Sequence, residues 1–221
     1  MTISRISAAT NNGTTVTPGT HAKGDSIFYF AYNQGSTTIP TLPPGVLGSY
    51  FRSGSAGSQR IGWCLANSSA ETVGTTGWTN ADNVTALVYR GGSSSIVVPS
   101  FLSVSTGTST TINYAAQVAG TLKEQALDLW LAGFCMSNST ANNLSALAPS
   151  GMTAINNSVG SNFEVATYDT SATRTTAWPS TNVTAANSAV YFAIVLELLE
   201  IDHKATGGGG VFDPLNHPLI N

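Results

Sequence analysis

Apolar residues along this chain occur in short runs, separated by clusters of Gly, Asn, Ser, Thr and Pro. The run DSIFYFAYN is rich in aromatic residues, which favour strands. The segment NFEVATYDTS alternates, with Phe163, Val165 and Thr167 on one face. Short runs at this spacing are typical of an all-β protein. The pattern predicts eight to ten strands and no long helix.

Two longer apolar runs, ALDLWLAGFCMS and SAVYFAIVLELLEI, fit a helix or a strand by periodicity alone. Gly133 in the first run, and the β-branched and aromatic residues of the second, favour strands. Pro99, in SIVVPSFLSV, predicts an edge position, a bulge or a break in the strand. A short helical turn is predicted around TLKEQALD, where Thr121 and Glu124 make a capping box.

The predicted fold is a two-sheet antiparallel β-sandwich, with a jelly roll as the favoured topology and a C-terminal extended arm. The sandwich domain covers residues 1–206, with strands from about Ile3 to Ile201, and residues 207–221 form a Gly-rich linker and the arm. No internal repeat of fixed period is evident. The predicted core residues are Ile27, Tyr29, Ile61, Trp63, Leu87, Leu129, Leu131, Phe192, Ile194 and Leu196.

Charged residues are scarce in this chain. They make up 9% of its 221 residues, against about 25% in a typical soluble domain. The net charge is −3, and no cluster of Lys or Arg appears. Because phosphate contacts need several basic residues on one face, we expect no nucleic-acid partner. A surface of hydroxyl and amide groups is common in proteins of large, close-packed assemblies or of secreted lattices.

The N-terminal stretch MTISRISAATNNG has no apolar core of the kind found in signal peptides. No stretch reaches about 18 apolar residues, so we expect no membrane span. Because no signal peptide is evident, we expect the protein to be made in a cytoplasm. Cys64 and Cys135 lie in apolar strand-like runs and are predicted to be buried, reduced thiols. A disulfide stays an alternative if the assembled protein meets an oxidising medium.

No constellation of residues indicates catalysis, so we predict that the protein is not an enzyme and that it uses no metal or cofactor. GSAGS around Ser55 resembles a nucleophile elbow, but it joins two predicted strands and is better explained as a hairpin turn. Asp82 and Asn83 lie in a predicted loop whose spacing matches no established calcium loop. An Asx turn that stabilises the loop is the favoured role for them.

Two of the four tryptophans, Trp78 and Trp178, lie in loop-like segments, TGWTN and TAWPS. Exposed aromatic rings can stack on sugar faces, so these two residues are the candidates for glycan contact. The alternative is that both indoles cap the ends of the sandwich and are buried there.

The last segment, GGGGVFDPLNHPLIN, is apolar for a tail that follows four glycines. An extended arm of this kind can add to the sheet edge of a neighbouring subunit and place alternate side chains in pockets. The alternative is that the arm folds back on its own sandwich. The predicted docking residues are Val211, Phe212, Leu215, Pro218, Leu219 and Ile220.

One ordered set of segments resembles a loose group of β-sandwich proteins encoded among the structural genes of tailed bacteriophages. The similarity extends from about Gly24 to Gly92, with a Pro-Pro-Gly turn inside it. Members of the group often carry Trp after that turn, where this chain has Val46. The segments, in order, are GDSIFYFAYNQG, VLGSYFRSG, SQRIGWCLAN and GWTNADNVTALVYRGG.

This resemblance implies a virion protein that decorates or cements the capsid, or that is attached to the tail. Its partners would be other capsid or tail subunits. It also implies a homo-oligomer, with a trimer favoured because such proteins often occupy three-fold positions. A carbohydrate-binding protein, either a phage receptor binder or a free lectin, stays the alternative function.

Overall fold

The computed structural model describes residues 3–54, 57–93, 95–117, 129–170 and 178–202. Over these ranges the chain forms ten strands and one turn of 3-10 helix, Leu144–Ala146. The strands are β1 (Ser4–Asn12), β2 (Ser26–Gln34), β3 (Leu47–Gly54), β4 (Gly57–Leu65), β5 (Asn83–Arg90), β6 (Ser95–Tyr114), β7 (Leu129–Ser137), β8 (Thr153–Val159), β9 (Glu164–Asp169) and β10 (Thr181–Asp202).

The ten strands form two antiparallel five-stranded sheets, which confirms the predicted sandwich. The first sheet has the order β1-β5-β2-β4-β3 and the second has the order β6-β10-β7-β9-β8. The first half of the chain therefore completes one sheet before the second half begins the other. This connectivity differs from the favoured jelly roll, whose two sheets share interleaved Greek keys.

The space between the sheets is filled by aromatic and aliphatic side chains, here called the inner core. Phe30 of β2 stacks on Phe134 of β7 with ring centroids 5.0 Å apart. Phe28 contacts Tyr89 edge to face, and Tyr89 contacts Trp130 in the same way. Such pairs add to the free energy gained from burying the rings, and they hold the two sheets in one register.

Both sheets are also covered on their outer faces. Loop residues such as Val16, Val46 and Trp78 cover the first sheet and form its outer core. Leu144, Met152 and Trp178 belong to the outer core of the second sheet. Strands that are buried on both faces carry near-continuous apolar runs, which explains why periodicity alone did not distinguish the two longest runs from helices.

Nine of the ten predicted core residues are buried, and the side chain of the tenth, Leu129, lies outside the described residues. They do not share one core, however. Ile27 and Tyr29 belong to the outer core of the first sheet, and Leu131 belongs to that of the second. The other six lie in the inner core.

Pro99 lies on β6, an edge strand, next to a register shift against β10 between Leu196 and Leu198. The predicted edge position and bulge at this proline are confirmed. β6 extends to Tyr114, well beyond its apolar half. The predicted helical turn at Thr121 and the predicted linker and arm at residues 207–221 lie outside the described residues.

The sequence has no internal repeat of fixed period, but the topology of the two sheets does repeat. Counted from the start of each half, both sheets have the order first, fifth, second, fourth, third. In each half the hairpin joins the third and fourth strands, β3 with β4 and β8 with β9. The sequence lacks a fixed period because the connecting loops of the two halves differ in length.

Candidate functional site

The predicted docking arm begins beyond the end of β10. Asp202, the last residue of that strand, pairs with Ser95 at the start of edge strand β6. The chain therefore leaves the second sheet beside its edge. The docking residues lie outside the described residues, and they are Val211, Phe212, Leu215, Pro218, Leu219 and Ile220.

Trp78 is fully buried against the outer face of the first sheet. Its ring centroid lies 5.7 Å from that of Tyr29, and its indole nitrogen donates to the carbonyl oxygen of Gly74 at 2.7 Å. The hydroxyl of Tyr29 donates to the carbonyl of Val73 in the same loop. The tryptophan anchors the loop between β4 and β5 to the sheet.

Trp178 has the same role on the second sheet. It is 1% exposed, its indole nitrogen donates to the carbonyl oxygen of Ser150, and its backbone forms an isolated bridge with Gln117. Neither Trp78 nor Trp178 offers a ring face to solvent. The glycan contact predicted at these two residues therefore lacks the exposed rings that it requires. The capping alternative describes both indoles.

A shallow, open cleft lies where the end of β1 meets the β8–β9 hairpin. Asn12 bridges the two sheets there, because its amide nitrogen donates to the carbonyl of Val159 and its oxygen accepts from the Ser158 hydroxyl. The side-chain amide of Asn12 is therefore engaged in hydrogen bonds that hold the two sheets together. The cleft is lined by Asn12, Gly13, Asp82, Val159, Gly160, Ser161 and Phe163.

The loop that was considered for calcium is held by hydrogen bonds within the protein. The carboxylate of Asp82 accepts from the backbone amide of Gln34 at 2.7 Å. The side chain of Asn83 is buried and donates to Asn12 and Thr10 on β1. Asp82 and Asn83 therefore fix the ends of β2, β5 and β1. No group of three metal-ligating side chains is present among the residues that the structure describes.

Two ion pairs tie the strand ends together. The Arg90 guanidinium makes two hydrogen bonds to the carboxylate of Asp25, at 2.6 and 2.7 Å. The Arg5 guanidinium of β1 lies 2.7 Å from the buried carboxylate of Asp169 on β9. Both pairs join distant parts of the sequence.

Two buried carboxylates lie on the outer face of the second sheet, Glu164 on β9 and Glu197 on β10. The carboxylate of Glu164 accepts from the backbone amide of Leu144 at 2.6 Å. Among the residues that the structure describes, neither oxygen of Glu197 has a hydrogen-bond partner. Burial raises the pKa of the Glu197 carboxyl. The Ser100 side chain lowers this pKa by a smaller amount, although it does not form a hydrogen bond of normal geometry with the carboxyl.

The other reactive groups serve the structure too. His21 accepts from the backbone amide of Glu71 through its Nε2 atom at 2.8 Å, so its Nδ1–H donates to the carbonyl of Gly19. Cys64 and Cys135 are buried free thiols, as predicted, and they lie in different sheets. Burial raises the pKa of each thiol to about 12, which removes nucleophilic character at neutral pH.

Among the described residues, the large apolar side chains that stay exposed are Phe51 (57%) and Val159 (48%). Both lie on edge strands, β3 and β8. The Arg60 guanidinium stacks over the Phe51 ring, 5.4 Å from its centroid. The exposure of Phe51 could not be predicted, because the segment SYFRSG does not indicate which of its two aromatic rings points outward.

No helix in the part of the chain that the structure describes is long and apolar enough to cross a membrane. Comparison with known proteins gives no match to a family model, to a curated protein or to a solved structure.

Proposed function

We propose that the protein is a non-enzymatic structural component of a tailed-bacteriophage virion, which decorates or cements the capsid or is attached to the tail. The observation that carries this proposal is an apolar tail following a sandwich whose cores are already filled. The described residues bury the inner faces and both outer faces of the two sheets. The tail then adds five further large apolar side chains, namely Val211, Phe212, Leu215, Leu219 and Ile220.

The tail has the composition of an arm that gains its stability from a partner. Burying Phe212, Leu215, Leu219 and Ile220 would contribute roughly 6–12 kcal/mol before the cost of ordering the chain. The four preceding glycines raise that ordering cost, and Pro214 disfavours a helix. The gross gain is enough to offset the ordering of a short extended arm on a neighbouring subunit.

The use of polar groups supports a structural role as well. Asp82, Asn83 and Glu164 each bond to backbone or side chains that fix loops and strand ends. A low-charge body of this kind can pack closely against copies of itself, because few like charges repel. We therefore propose that the protein forms a closed homo-oligomer, and the resemblance to virion proteins favours a trimer.

The carbohydrate-binding alternative rested on Trp78 and Trp178. With both indoles buried, it lacks the rings on which a sugar would stack. We therefore rank it below the structural role.

The proposal is tested by purifying particles of a phage that encodes this chain and measuring its copy number by quantitative mass spectrometry. A virion component is expected at a fixed number of copies relative to the major capsid protein, through repeated density gradients. The binding of soluble protein to host cells, together with its absence from particles, would contradict the proposal and favour the receptor-binding alternative. Light scattering of the isolated protein measures its oligomeric state.

A further inference from the structure

Both sheets have the same unusual strand order, in which few strands pair with their neighbours in sequence. Strands that follow one another in sequence usually also pair in the sheet. Here only the third and fourth strands of each half do so. In each half the start of the first strand pairs with the end of the fifth: Ser4 lies opposite Arg90, and Ser95 lies opposite Asp202.

The turn that leads into the third strand is the same in both halves. Residues 43–46 read Pro-Pro-Gly-Val and residues 149–152 read Pro-Ser-Gly-Met. In each turn the amide of the fourth residue donates to the carbonyl of the first, at 3.2 Å and 2.9 Å respectively. Gly45 and Gly151 adopt φ values of 82° and 81°, as a type II turn requires at its third position.

The hairpin that follows this turn matches residue by residue. In each half one extra residue, Ser49 or Ile155, makes a bulge after the second residue of the third strand. Adding 106 to both residue numbers converts each β3–β4 pair into a contact of the β8–β9 hairpin. Examples are Gly48 opposite Gly62 with Ala154 opposite Tyr168, and Tyr50 opposite Ile61 with Asn156 opposite Thr167.

The connection from the fourth to the fifth strand repeats its anchor. The sequence Thr-Thr-x-Trp occurs at residues 75–78 and 175–178, and each Trp is buried in the outer core of its own sheet. Asn-Val-Thr-Ala then occurs at residues 83–86 and 182–185, at or near the start of the fifth strand. The spacing of matching residues therefore falls from 106 in the hairpin to 100 at the tryptophans and 99 at the Asn-Val pairs.

The two open edges of the sandwich are joined in equivalent ways. On one side the first strand of the first half meets the third strand of the second half, where Ser158 donates to Asn12. On the other side the first strand of the second half meets the third strand of the first half, where Arg52 donates to Thr106. A two-fold axis between the sheets would relate these contacts to one another.

We infer that the chain is a tandem duplication of one five-stranded unit, and that the inner face of each sheet is a pairing surface whose partner is a second copy of that unit. The stacked Phe30 and Phe134 lie at the centre of this surface. The second copy is supplied by the same chain. This inference does not rest on the proposed function and stands or falls separately from it.

The duplication fixes how the halves can be connected. Four residues, 91–94, carry the chain from Arg90 in the first sheet to Ser95 in the second. Four residues between two Cα atoms span at most roughly 18 Å, which is enough to cross between sheets about 10 Å apart. The two-fold relation makes the distance from Asp202 to Ser4 equal to the distance from Arg90 to Ser95. Both pairs of ends already lie side by side, because Ser4 pairs with Arg90 and Ser95 pairs with Asp202.

A permuted chain that exchanges the halves tests this relation. It begins with Met before Ser95, runs to Asp202, continues through Gly-Gly-Ser to Ile3, and ends at Arg90 followed by residues 203–221. The new connection thus has the same length as residues 91–94. The matched control carries the same permutation with a connection four residues longer. Circular dichroism, light scattering and urea denaturation are compared with those of the natural chain.

The duplication predicts that the short-linked permutant folds cooperatively, with the spectrum and oligomeric state of the natural chain and a urea midpoint within about 0.5 M of it. If only the long-linked permutant folds, the strand ends are not related as a duplication requires, and the inference is overturned. If neither permutant folds, the halves are not interchangeable units, which also overturns it.

Discussion

The guanidinium of Arg5 lies 2.7 Å from the carboxylate of Asp169 and joins the first sheet to the second. Asp169 is fully buried, while the Arg5 side chain is 31% exposed. The hydroxyl of Tyr89 also reaches the carboxylate of Asp169, at 3.4 Å. The pair therefore places a negative charge inside the sandwich, and Arg5, which is partly exposed, supplies a compensating positive charge.

Replacing Arg5 with Met should destabilise the protein, because the buried Asp169 carboxylate would lose the ion pair with Arg5. We expect the free energy of unfolding to fall by about 1–3 kcal/mol, below the range for fully buried pairs because Arg5 is partly solvated. Chemical denaturation at pH 7 measures this change. Arg52→Met is the matched control: Arg52 bonds to Thr106 at an exposed edge, and it should cost about 0.5 kcal/mol or less. Equal losses in the two variants would contradict the account.

Glu197 should make the protein less stable as the pH rises. Burial raises its pKa above the ordinary value of 4.5, so the folded state holds this proton more tightly than the unfolded state does. The free energy of unfolding is then highest below about pH 4.5 and declines as the pH rises through the folded pKa. Glu197→Gln removes the charge and should raise the stability at pH 7 by about 1–2 kcal/mol.

The control for this prediction is Glu71→Gln. Backbone hydrogen bonds, with that from Asn67 largest, lower the pKa of the Glu71 carboxyl. The stability contributed by Glu71 is therefore present above the unfolded pKa and lost as the pH falls through the folded one. The two Gln variants should shift unfolding curves between pH 4 and pH 8 in opposite directions. A shift in the same direction for both would disprove this interpretation of Glu197.

Much of this fold can be predicted from sequence because its central strands are long apolar runs. β2 and β10, for example, were recognised from DSIFYFAYN and SAVYFAIVLELLEI. No apolar run marks β1 or β8, since as edge strands they bury few large side chains and read as SRISAATNN and TAINNSV. An edge strand that is half exposed carries too weak a pattern to detect.

The arrangement of the sheets could not be predicted, for a different reason. Loops cover the outer faces, so Ile27 and Phe28 are both buried although they point to opposite sides of β2. Alternation then no longer indicates the inner face. The tryptophans were misjudged in the same way: a Trp in a loop looks exposed in sequence, yet Trp78 and Trp178 anchor those loops.

The two equivalent turns should respond alike to loss of their glycine. Gly45→Ala and Gly151→Ala each force a side chain into the left-handed region, at φ of 82° and 81°. We expect each substitution to lower the free energy of unfolding by about 1–2 kcal/mol. Gly54→Ala is the control, because an added Cβ would meet no atom closer than 3.5 Å. An unchanged stability in either turn variant would count against the shared turn.

The two thiols should resist labelling in the folded protein. Cys64 and Cys135 are buried, and burial raises the pKa of each to about 12, so at pH 8 almost no thiolate is present. A disulfide-forming aromatic reagent should react with both only after denaturation. Ser69→Cys, at an exposed position, supplies a thiol that reacts at once. Rapid reaction of the natural chain without denaturant would show that the cores open more easily than their packing implies.

We propose that the last segment of this chain holds it in place in the virion. Truncation after Thr206 removes that segment and leaves the ten strands intact. The measurement is a competition in which truncated and full-length protein are supplied together during particle assembly, and both are quantified in purified virions by mass spectrometry. We expect the truncated chain to keep the circular dichroism spectrum of the full chain but to be depleted from the particles at least tenfold, which corresponds to about 1.4 kcal/mol of binding free energy. Incorporation of the truncated chain at the same level as the full chain would contradict this proposal.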